Sequence, residues 1–249
     1  MLIIANWKAY VEDVKKAKKL FALSKKLAKK TGSKIVLAPP SPLLSALTAR
    51  NKSAVAFAAQ DVSRTTGGAK TGEATAQAYA AAGATYAIIG HSERRAAGDT
   101  DVIIAEKLSH SLAHGLTPIL CIGEHERDNE GRYLAFIREE LTKAIGSLAP
   151  KERVKVIIAY EPIWAIGKTA ALAIQPNDLA EMMLYIRKVL AELLHGKNAS
   201  RTLVLYGGSV EPENIRELAA SSRIDGFLIG HASVDAHTFT LLMKQLVRA

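Results

Sequence analysis

One carboxylate, Glu161, lies in the segment AYEPIWAIG at residues 159–167, between a stretch that predicts a buried strand and one that predicts a moving loop. The apolar, β-branched run VKVIIA before it is typical of a strand buried on both faces. Pro162 stiffens the start of the loop, and the apolar residues 163–166 before Gly167 predict a lid that keeps water away from the carboxylate. Glu161 is therefore a candidate general base. The alternative is a loop packed permanently on the core, with Glu161 as a solvated turn residue.

Other polar residues follow short apolar runs in the same way as Glu161. They comprise an ammonium, an imidazole, a second carboxylate and two glycine-containing turns that are predicted to open helices. Such a set suits proton transfer on a phosphorylated substrate, because acid–base groups lie beside backbone N–H groups that bind anions. The residues are Asn6 and Lys8 after the first run, Gly90, His91, Ser92 and Glu93 after the fourth, Gly207, Gly208 and Ser209 after the seventh, and Gly230 and His231 after the eighth.

Alternating strand and helix patterns position these residues. Eight such units at a spacing of about thirty residues predict an α/β fold of the (β/α)8 barrel type, as one domain over residues 1–249. An open doubly wound sheet is the alternative, although it usually needs fewer units. The strands are predicted at 2–5, 34–38, 55–59, 86–89, 117–122, 154–159, 202–206 and 226–229, and the helices at 11–30, after Pro42, after Gly72, and at 100–114, 128–145, 178–194, 212–220 and 234–247.

Composition and charge limit the class of protein. The chain has 249 residues, of which 49% are hydrophobic, and no apolar run long enough for a membrane span or a signal peptide is expected. A lone cysteine, Cys121, excludes an intramolecular disulfide, and together these features predict a cytoplasmic protein. The net charge of +9 suits an anionic partner, either a phosphate ester or nucleic acid. Much of this positive charge lies in eight lysines of the first helix, which we interpret as a solvated face of that helix. Neither a nucleic-acid nor a membrane partner is therefore predicted.

Four motifs together closely resemble the triosephosphate isomerase family. They follow that family's order and span most of the chain: NWK at 6–8, IGHSERR at 89–95, YEPIWAIG at 160–167 and YGGS at 206–209. The resemblance implies a TIM barrel that interconverts dihydroxyacetone phosphate and glyceraldehyde 3-phosphate in glycolysis and gluconeogenesis, with no metal and no cofactor. The rival functions are another phosphosugar isomerase and a basic nucleic-acid binder.

The resemblance also implies roles for the polar residues. Glu161 matches the base and His91 matches a neutral imidazole that acts as the electrophile. Lys8 offers a positive charge to the substrate. Asn6 helps to hold both the lysine and the substrate oxygen. Glu93 matches a carboxylate beside the lysine and histidine, and whether it relays protons or orients its neighbours stays open. Outside this set, Arg94 and Arg95 are predicted to form structural ion pairs, and Cys121 to be a buried small residue.

The phosphate is expected to bind backbone N–H groups of Gly208, Ser209, Gly230 and His231 at two helix starts, with Gly167 of the lid adding another. The sequence departs from the family pattern at two points: the family commonly has glycine at position 231, and Thr-Gly-Lys in place of residues 168–170. Histidine at 231 implies a backbone φ below zero there, and an imidazole beside the phosphate.

The thirteen residues 61–73 form a connection too long for a simple turn. In the family this loop inserts into a neighbouring subunit beside the active-site lysine. A homodimer through loop 61–73 is therefore expected, and a mobile surface loop is the alternative.

Overall fold

The computed structural model describes residues 1–169, 172–194, 199–221 and 223–246. Eight parallel strands form a closed barrel in which each strand pairs with its neighbours in chain order and β8 pairs with β1. The strands are β1 (Leu2–Asn6), β2 (Lys34–Ala38), β3 (Ala56–Ala59), β4 (Tyr86–Ile89), β5 (Thr117–Ile122), β6 (Ile157–Tyr160), β7 (Val204–Tyr206) and β8 (Gly226–Ile229).

Helices connect the strands along the outside of the barrel, as parallel strand order requires. They are α1 (Val14–Thr31), α2 (Ser41–Thr48), α3 (Ala76–Ala81), α4 (Ser92–Ala96), α5 (Asp101–Ala113), α6 (Arg132–Gly146), α7 (Pro150–Arg153), α8 (Pro176–Leu193), α9 (Ile215–Ser221) and α10 (Ala236–Leu246). None of the helices within the described ranges is long and apolar enough to cross a membrane.

The strands are apolar throughout because both of their faces are buried. Alternate residues such as Ile4, Ile88 and Ala159 fill the barrel interior, whereas Ile3 and Ile158 pack outward against the helices. Side chains alternate along a strand, so a residue two positions after an interior residue also points inward. This periodicity places Asn6, two after Ile4, and Glu161, two after Ala159, at the end of the barrel interior.

Barrel closure depends on a glycine. A Cβ atom on Gly226 would lie 1.8 Å from the carbonyl oxygen of Leu2, so no other residue fits where β8 meets β1. The pairing aligns Leu2 with Gly226 and continues to Ala5 with Ile229. The close approach of the two strands therefore brings the residues that follow β1 and β8 to the same side of the barrel.

The prediction of a (β/α)8 barrel is confirmed, and four strands have the predicted bounds. The sixth strand was predicted from residue 154, but the structure begins it at Ile157 because the short helix α7, with Pro150 in its first turn, precedes it and residues 154–155 form a turn. The seventh likewise begins at Val204 instead of residue 202. The last helix, predicted at 234–247, begins at Ala236 and is confirmed from there to Leu246, and residue 247 lies outside the described residues.

Candidate active site

Every predicted site residue lines one cavity of about 400 Å³ at the carboxyl ends of the strands. The side chains come from segments that follow β1, β4, β6, β7 and β8, which are far apart in sequence. The cavity brings together Asn6, Lys8, His91, Glu93, Glu161, Gly167, Gly208, Ser209, Gly230 and His231.

The centre of the cavity holds two buried groups that face each other. Glu161 is 3% exposed and His91 is 6% exposed, and Oε1 of Glu161 lies 3.4 Å from Nε2 of His91. The other carboxylate oxygen of Glu161 is buried and has no hydrogen-bond partner among the described residues. An unpaired buried carboxylate oxygen is costly, and it is free to accept a proton from a bound molecule.

The structure indicates which nitrogen of His91 carries the proton. The Nδ1 atom accepts a hydrogen bond from the backbone N–H of Glu93, at 3.2 Å, where His91 caps helix α4. A nitrogen that accepts a hydrogen bond carries no proton, so the neutral ring has its N–H at Nε2. That N–H points into the cavity, where it can donate to an oxygen of a bound molecule.

Lys8 and Glu93 form an ion pair at the side of the cavity. Nζ of Lys8 lies 2.6 Å from Oε1 of Glu93. Burial opposes the charged form of Glu93, but the bond from Lys8 outweighs it and lowers the pKa of the carboxyl. The carboxyl of Glu93 therefore stays charged at neutral pH and holds the Lys8 side chain near His91.

The backbone of Lys8 is in the left-handed region, with φ of 44°. Asn6 Oδ1 accepts a hydrogen bond from Lys8 N at 3.1 Å, and Gln60 Nε2 donates to Lys8 O at 2.9 Å. These bonds hold an otherwise unfavourable turn. Gln60 was missed in the sequence analysis, although it is the polar residue that directly follows β3 and belongs to the same pattern as the others.

Two glycines press against Glu161: Gly123, which was missed as a site residue, and Gly207, which was predicted only as part of the turn after the seventh strand. A Cβ on Gly123 would lie 1.9 Å from the Glu161 carbonyl oxygen, and one on Gly207 would lie 2.6 Å from its Cγ. Gly123 N donates to the buried carboxylate of Glu140 at 2.9 Å. Burial raises the pKa of Glu140 to about 7, although Arg95 and this N–H favour its charged form. The base is thus fixed from two sides by backbone contacts.

Cys121 lies below the base, inside the barrel. Burial raises the pKa of the Cys121 thiol well above its usual range, and the negative charge of Glu161 raises it further. The thiol therefore stays protonated in the barrel interior. The predictions that Cys121 is buried and that Arg94 and Arg95 form ion pairs are confirmed, since Arg94 pairs with Asp61 and Arg95 with Asp101.

The predicted lid begins with a 3₁₀ turn at Ile163–Ala165 that is anchored by a missed residue, Glu124. Oε1 of Glu124 accepts hydrogen bonds from Trp164 Nε1 and from the Tyr160 hydroxyl, each at 2.8 Å. Trp164 is only partly buried, and Gly167 is exposed with φ of 68°. The base of the loop is held while its tip is exposed, which is the arrangement of a lid. Ala170, the last residue of the predicted hinge, lies outside the described residues.

The phosphate loops are close-packed, but they do not open helices directly. A Cβ on Gly208 would lie 2.2 Å from the Tyr206 hydroxyl, and Ser209 Oγ accepts a hydrogen bond from Lys168 N of the lid at 3.0 Å. The predicted helix starts at residues 212 and 234 are wrong in detail, because both helices begin two or three residues later. Helix α9 begins at Ile215, and a 3₁₀ turn at His231–Ser233 precedes α10. The segments before α9 and α10, and not the first turns of these helices, therefore line the cavity.

Two unpredicted residues, Tyr10 and Glu211, line the cavity beside His231. The rings of Tyr10 and His231 meet edge to face, with centroids 5.5 Å apart. Burial and the nearby Glu213 raise the pKa of Glu211, whereas His231 lowers it. His231 is exposed, and its φ is not positive, as its residue type predicts. The imidazole thus lies at the rim of the cavity, within electrostatic range of a carboxylate.

Comparisons with known proteins agree on one family. The family model described as triosephosphate isomerase matches residues 1–246. The chain is 38% identical over 249 residues to a triosephosphate isomerase of Thermus thermophilus, covering 98% of each chain. It is 37% identical over 247 residues to one of Carboxydothermus hydrogenoformans, covering 97% of each. It is 39% identical over 249 residues to one of Mycobacterium avium, covering 97% of this chain and 94% of the relative.

Proposed function

Because the chain belongs to the triosephosphate isomerase family, whose members interconvert dihydroxyacetone phosphate and glyceraldehyde 3-phosphate in glycolysis, we propose that Glu161 is its base and His91 its electrophile. The observation that carries this assignment is the pair of buried side chains that face each other at 3.4 Å across the cavity. One has a carboxylate oxygen without a partner, and the other has its N–H directed into the cavity.

The reaction moves a proton between two adjacent carbons, which the residues perform in two halves. Glu161 takes the proton from the carbon next to the carbonyl group, while Nε2–H of His91 donates to the carbonyl oxygen. The resulting enediolate carries negative charge that the Lys8 ammonium stabilises, with Asn6 beside it. Glu161 then returns the proton to the neighbouring carbon, and His91 moves the hydroxyl proton from one oxygen to the other, so that the carbonyl and hydroxyl groups exchange places. Glu93 positions Lys8 through their ion pair and takes no proton in this scheme.

A proton-exchange experiment tests this assignment. Purified protein, with no metal or nucleotide added, is given glyceraldehyde 3-phosphate in D2O, and the product is followed by NMR. A base that exchanges its proton with solvent introduces one deuterium at the carbon that receives the proton. In Glu161→Gln the incorporation of deuterium should stop together with turnover, and deuterium that still enters that carbon at the parent rate would assign the role of base to another group.

The phosphate group is proposed to bind the N–H groups of Gly208, Ser209, Gly230 and His231, with Gly167 joining when the lid closes. The support is that all five line the cavity, and that Lys168 N already bonds to Ser209 Oγ, so lid and phosphate loop are in contact. Gly208 has no room for a side chain, which keeps the backbone accessible to an anion.

The imidazole of His231 is expected to make phosphate binding depend on pH. A dianion beside an imidazole favours the protonated ring, so a phosphate-ester inhibitor should bind more tightly at about pH 6 than at about pH 8, by more than its own titration explains. Inhibition constants over this range, for the parent protein and His231→Gly, measure the effect. The excess should disappear in His231→Gly.

Glu211 is the group that could imitate this effect, because its protonation at low pH also removes a negative charge near the phosphate. Glu211→Gln is therefore the matched control, and it should keep the excess. Identical pH profiles for the parent and His231→Gly would show that only the backbone N–H of residue 231 matters.

Loop 61–73 is proposed to form a homodimer interface. Its base is fixed, because Asp61 pairs with the buried ammonium of Lys107 at 2.7 Å and with Arg94 at 2.9 Å. Its tip, residues 66–73, is exposed throughout and projects from a rigid base. An ordered base that carries an exposed tip fits insertion into a second copy of the chain. The same insertion would also join the chains of a higher even oligomer.

Light scattering on a sizing column should give at least twice the chain mass of 26.7 kDa at micromolar concentration. Replacing residues 66–73 with two glycines should produce a folded monomer, because the anchoring residue Asp61 is kept. Its kcat/KM should fall at least about tenfold if the partner completes the site. A parent protein that is monomeric at micromolar concentration would contradict the interface.

A cytoplasmic location is proposed as well, and so is a single domain over residues 1–249. The location is supported by the glycolytic family and by the buried, unpaired thiol of Cys121. The domain is supported by the closed barrel, which uses strands from residue 2 to residue 229.

A further inference from the structure

The net positive charge of the chain is confined to one segment. The chain has 33 Lys and Arg against 24 Asp and Glu, which gives +9. Residues 14–60 contain 11 of the basic residues and no acidic one, so the other residues together carry 22 basic and 24 acidic side chains. The segment contains α1, β2, α2 and β3, and it therefore makes one side of the barrel strongly basic.

All of these basic side chains are exposed and unneutralised. None of them forms an ion pair with any residue in the described ranges, whereas many other cations of the barrel, such as Arg95 and Lys107, do. We define the lysine face as the eight exposed lysines of α1: Lys15, Lys16, Lys18, Lys19, Lys25, Lys26, Lys29 and Lys30. Lys34, Arg50 and Lys52 extend it beyond the end of the helix.

The helix that carries this face has only like charges on its surface. At 100° per residue the eight lysines cover about half of the helix circumference, and α1 buries the opposite half through Ala17, Leu20, Ser24 and Leu27. Lysines three or four positions apart, such as Lys15 and Lys19 or Lys26 and Lys30, repel each other. Helix α1 has no acidic residue to offset this repulsion. A bound polyanion would relieve it.

A cleft of about 610 Å³ lies at the end of the lysine face. It is bordered by Lys25, Lys29 and Lys34, together with Ser33 and Ser53. The face thus continues from a convex helix into a concave site bordered by three lysines and two serines. No residue of α1 lines the catalytic cavity, so the two sites are separate.

We propose that the lysine face is a second binding surface, and that its ligand is the phosphodiester backbone of a nucleic-acid duplex. Lysine ammonium groups act as point charges that bind phosphates without reading bases. The face has no free aromatic ring for base stacking, because Phe21 is partly buried and Lys25 covers its ring at 4.7 Å. Binding should therefore be independent of sequence and strongly dependent on salt.

Other occupants fit the lysine face less well. An amphipathic helix binds a membrane by inserting its apolar side, but the apolar side of α1 is buried in the barrel core. A protein interface needs an apolar centre and is poor in lysine, and this face has neither feature. The earlier expectation of no nucleic-acid partner treated the lysines as a solvated face. The confinement of the excess charge and the lack of ion pairs argue against that interpretation.

The test uses the full chain and a labelled duplex DNA of about 30 base pairs, with binding followed by fluorescence anisotropy from about 25 to 200 mM salt. If about five lysines contact phosphates, log K against log salt should have a slope of about −4 to −5. The variant Lys19→Gln, Lys25→Gln, Lys26→Gln, Lys29→Gln should bind at least about tenfold more weakly at about 50 mM salt, with a slope near −1.

The matched control removes four exposed lysines elsewhere, with Gln at positions 151, 155, 188 and 244. It has the same net charge as the first variant, and its affinity should change less than about threefold. Both variants should keep the parent kcat, which shows that they are folded and that the isomerase site is intact.

Four results would overturn the proposal. The first is no duplex binding at about 25 mM salt. The second is an equal loss in both variants, which would indicate diffuse net charge only. The third is release of the duplex by a saturating phosphate-ester inhibitor, which would place the duplex at the catalytic cavity. The fourth is binding to phosphatidylserine vesicles but not to the duplex.

Discussion

Glu161→Gln is expected to lower kcat by about two to four orders of magnitude, because the amide keeps the shape of the side chain but cannot accept the substrate proton. KM should change little, since no proposed phosphate contact is lost. Coupled assays of both reaction directions measure the effect. Gln also fits the space between Gly123 and Gly207 that holds the native side chain, so the fold should survive.

The matched control is Glu126→Gln, because Glu126 is an exposed carboxylate outside the cavity. It should leave kcat within about twofold of the parent value. Circular dichroism and melting temperature confirm that both variants are folded. If Glu161→Gln is folded and turns over at the parent rate, another group is the base.

Lys8→Met is expected to reduce kcat/KM by about a thousandfold, because it removes the cation that offsets the charge of the enediolate. It also leaves Glu93 without its ion-pair partner, so an uncompensated carboxylate faces the cavity. Steady-state kinetics measure the loss. The fall should appear in kcat as well as in KM, since the cation acts on charge that develops during the reaction.

Lys155→Met, at an exposed lysine outside the cavity, is the matched control and should leave kcat/KM unchanged. Lys8→Arg separates charge from shape, because guanidinium keeps the charge but is planar and larger. If Lys8→Met retains more than a tenth of the parent kcat/KM, the charge is supplied by another residue, and Lys168 of the lid would be the next candidate.

The fold was predictable because strands buried on both faces have an uninterrupted apolar sequence. The predicted strand bounds matched the structure where such an apolar run ends at a glycine, as at β4 and β8. They failed where an apolar residue lies in a turn, as Val154 does, because local hydrophobicity cannot distinguish a strand from the turn before it. The start of α9 was misplaced since Pro212 resembles a first-turn proline, whereas the chain makes a turn there first.

The site was predictable where residues follow strand ends in a known order, and not where their role depends on distant partners. Glu124 acts through hydrogen bonds to residues far along the chain, which no local pattern records. Gln60 also acts through such a bond, but it directly follows β3, and that position was the available signal. The restriction at Gly123 likewise arises from the neighbouring strand end. The orientation of His231 towards Tyr10 depends on two loops that only the closed barrel brings together.

The left-handed backbone of Lys8 has a consequence for engineering this protein. A lysine at φ of 44° costs about 1 kcal/mol relative to glycine, which adopts that conformation freely. A library selected only for heat resistance would therefore tend to enrich glycine at position 8 and discard the ammonium that we propose stabilises the enediolate. At this residue, thermal robustness and turnover are opposing objectives, and screens for improved variants must select for both together.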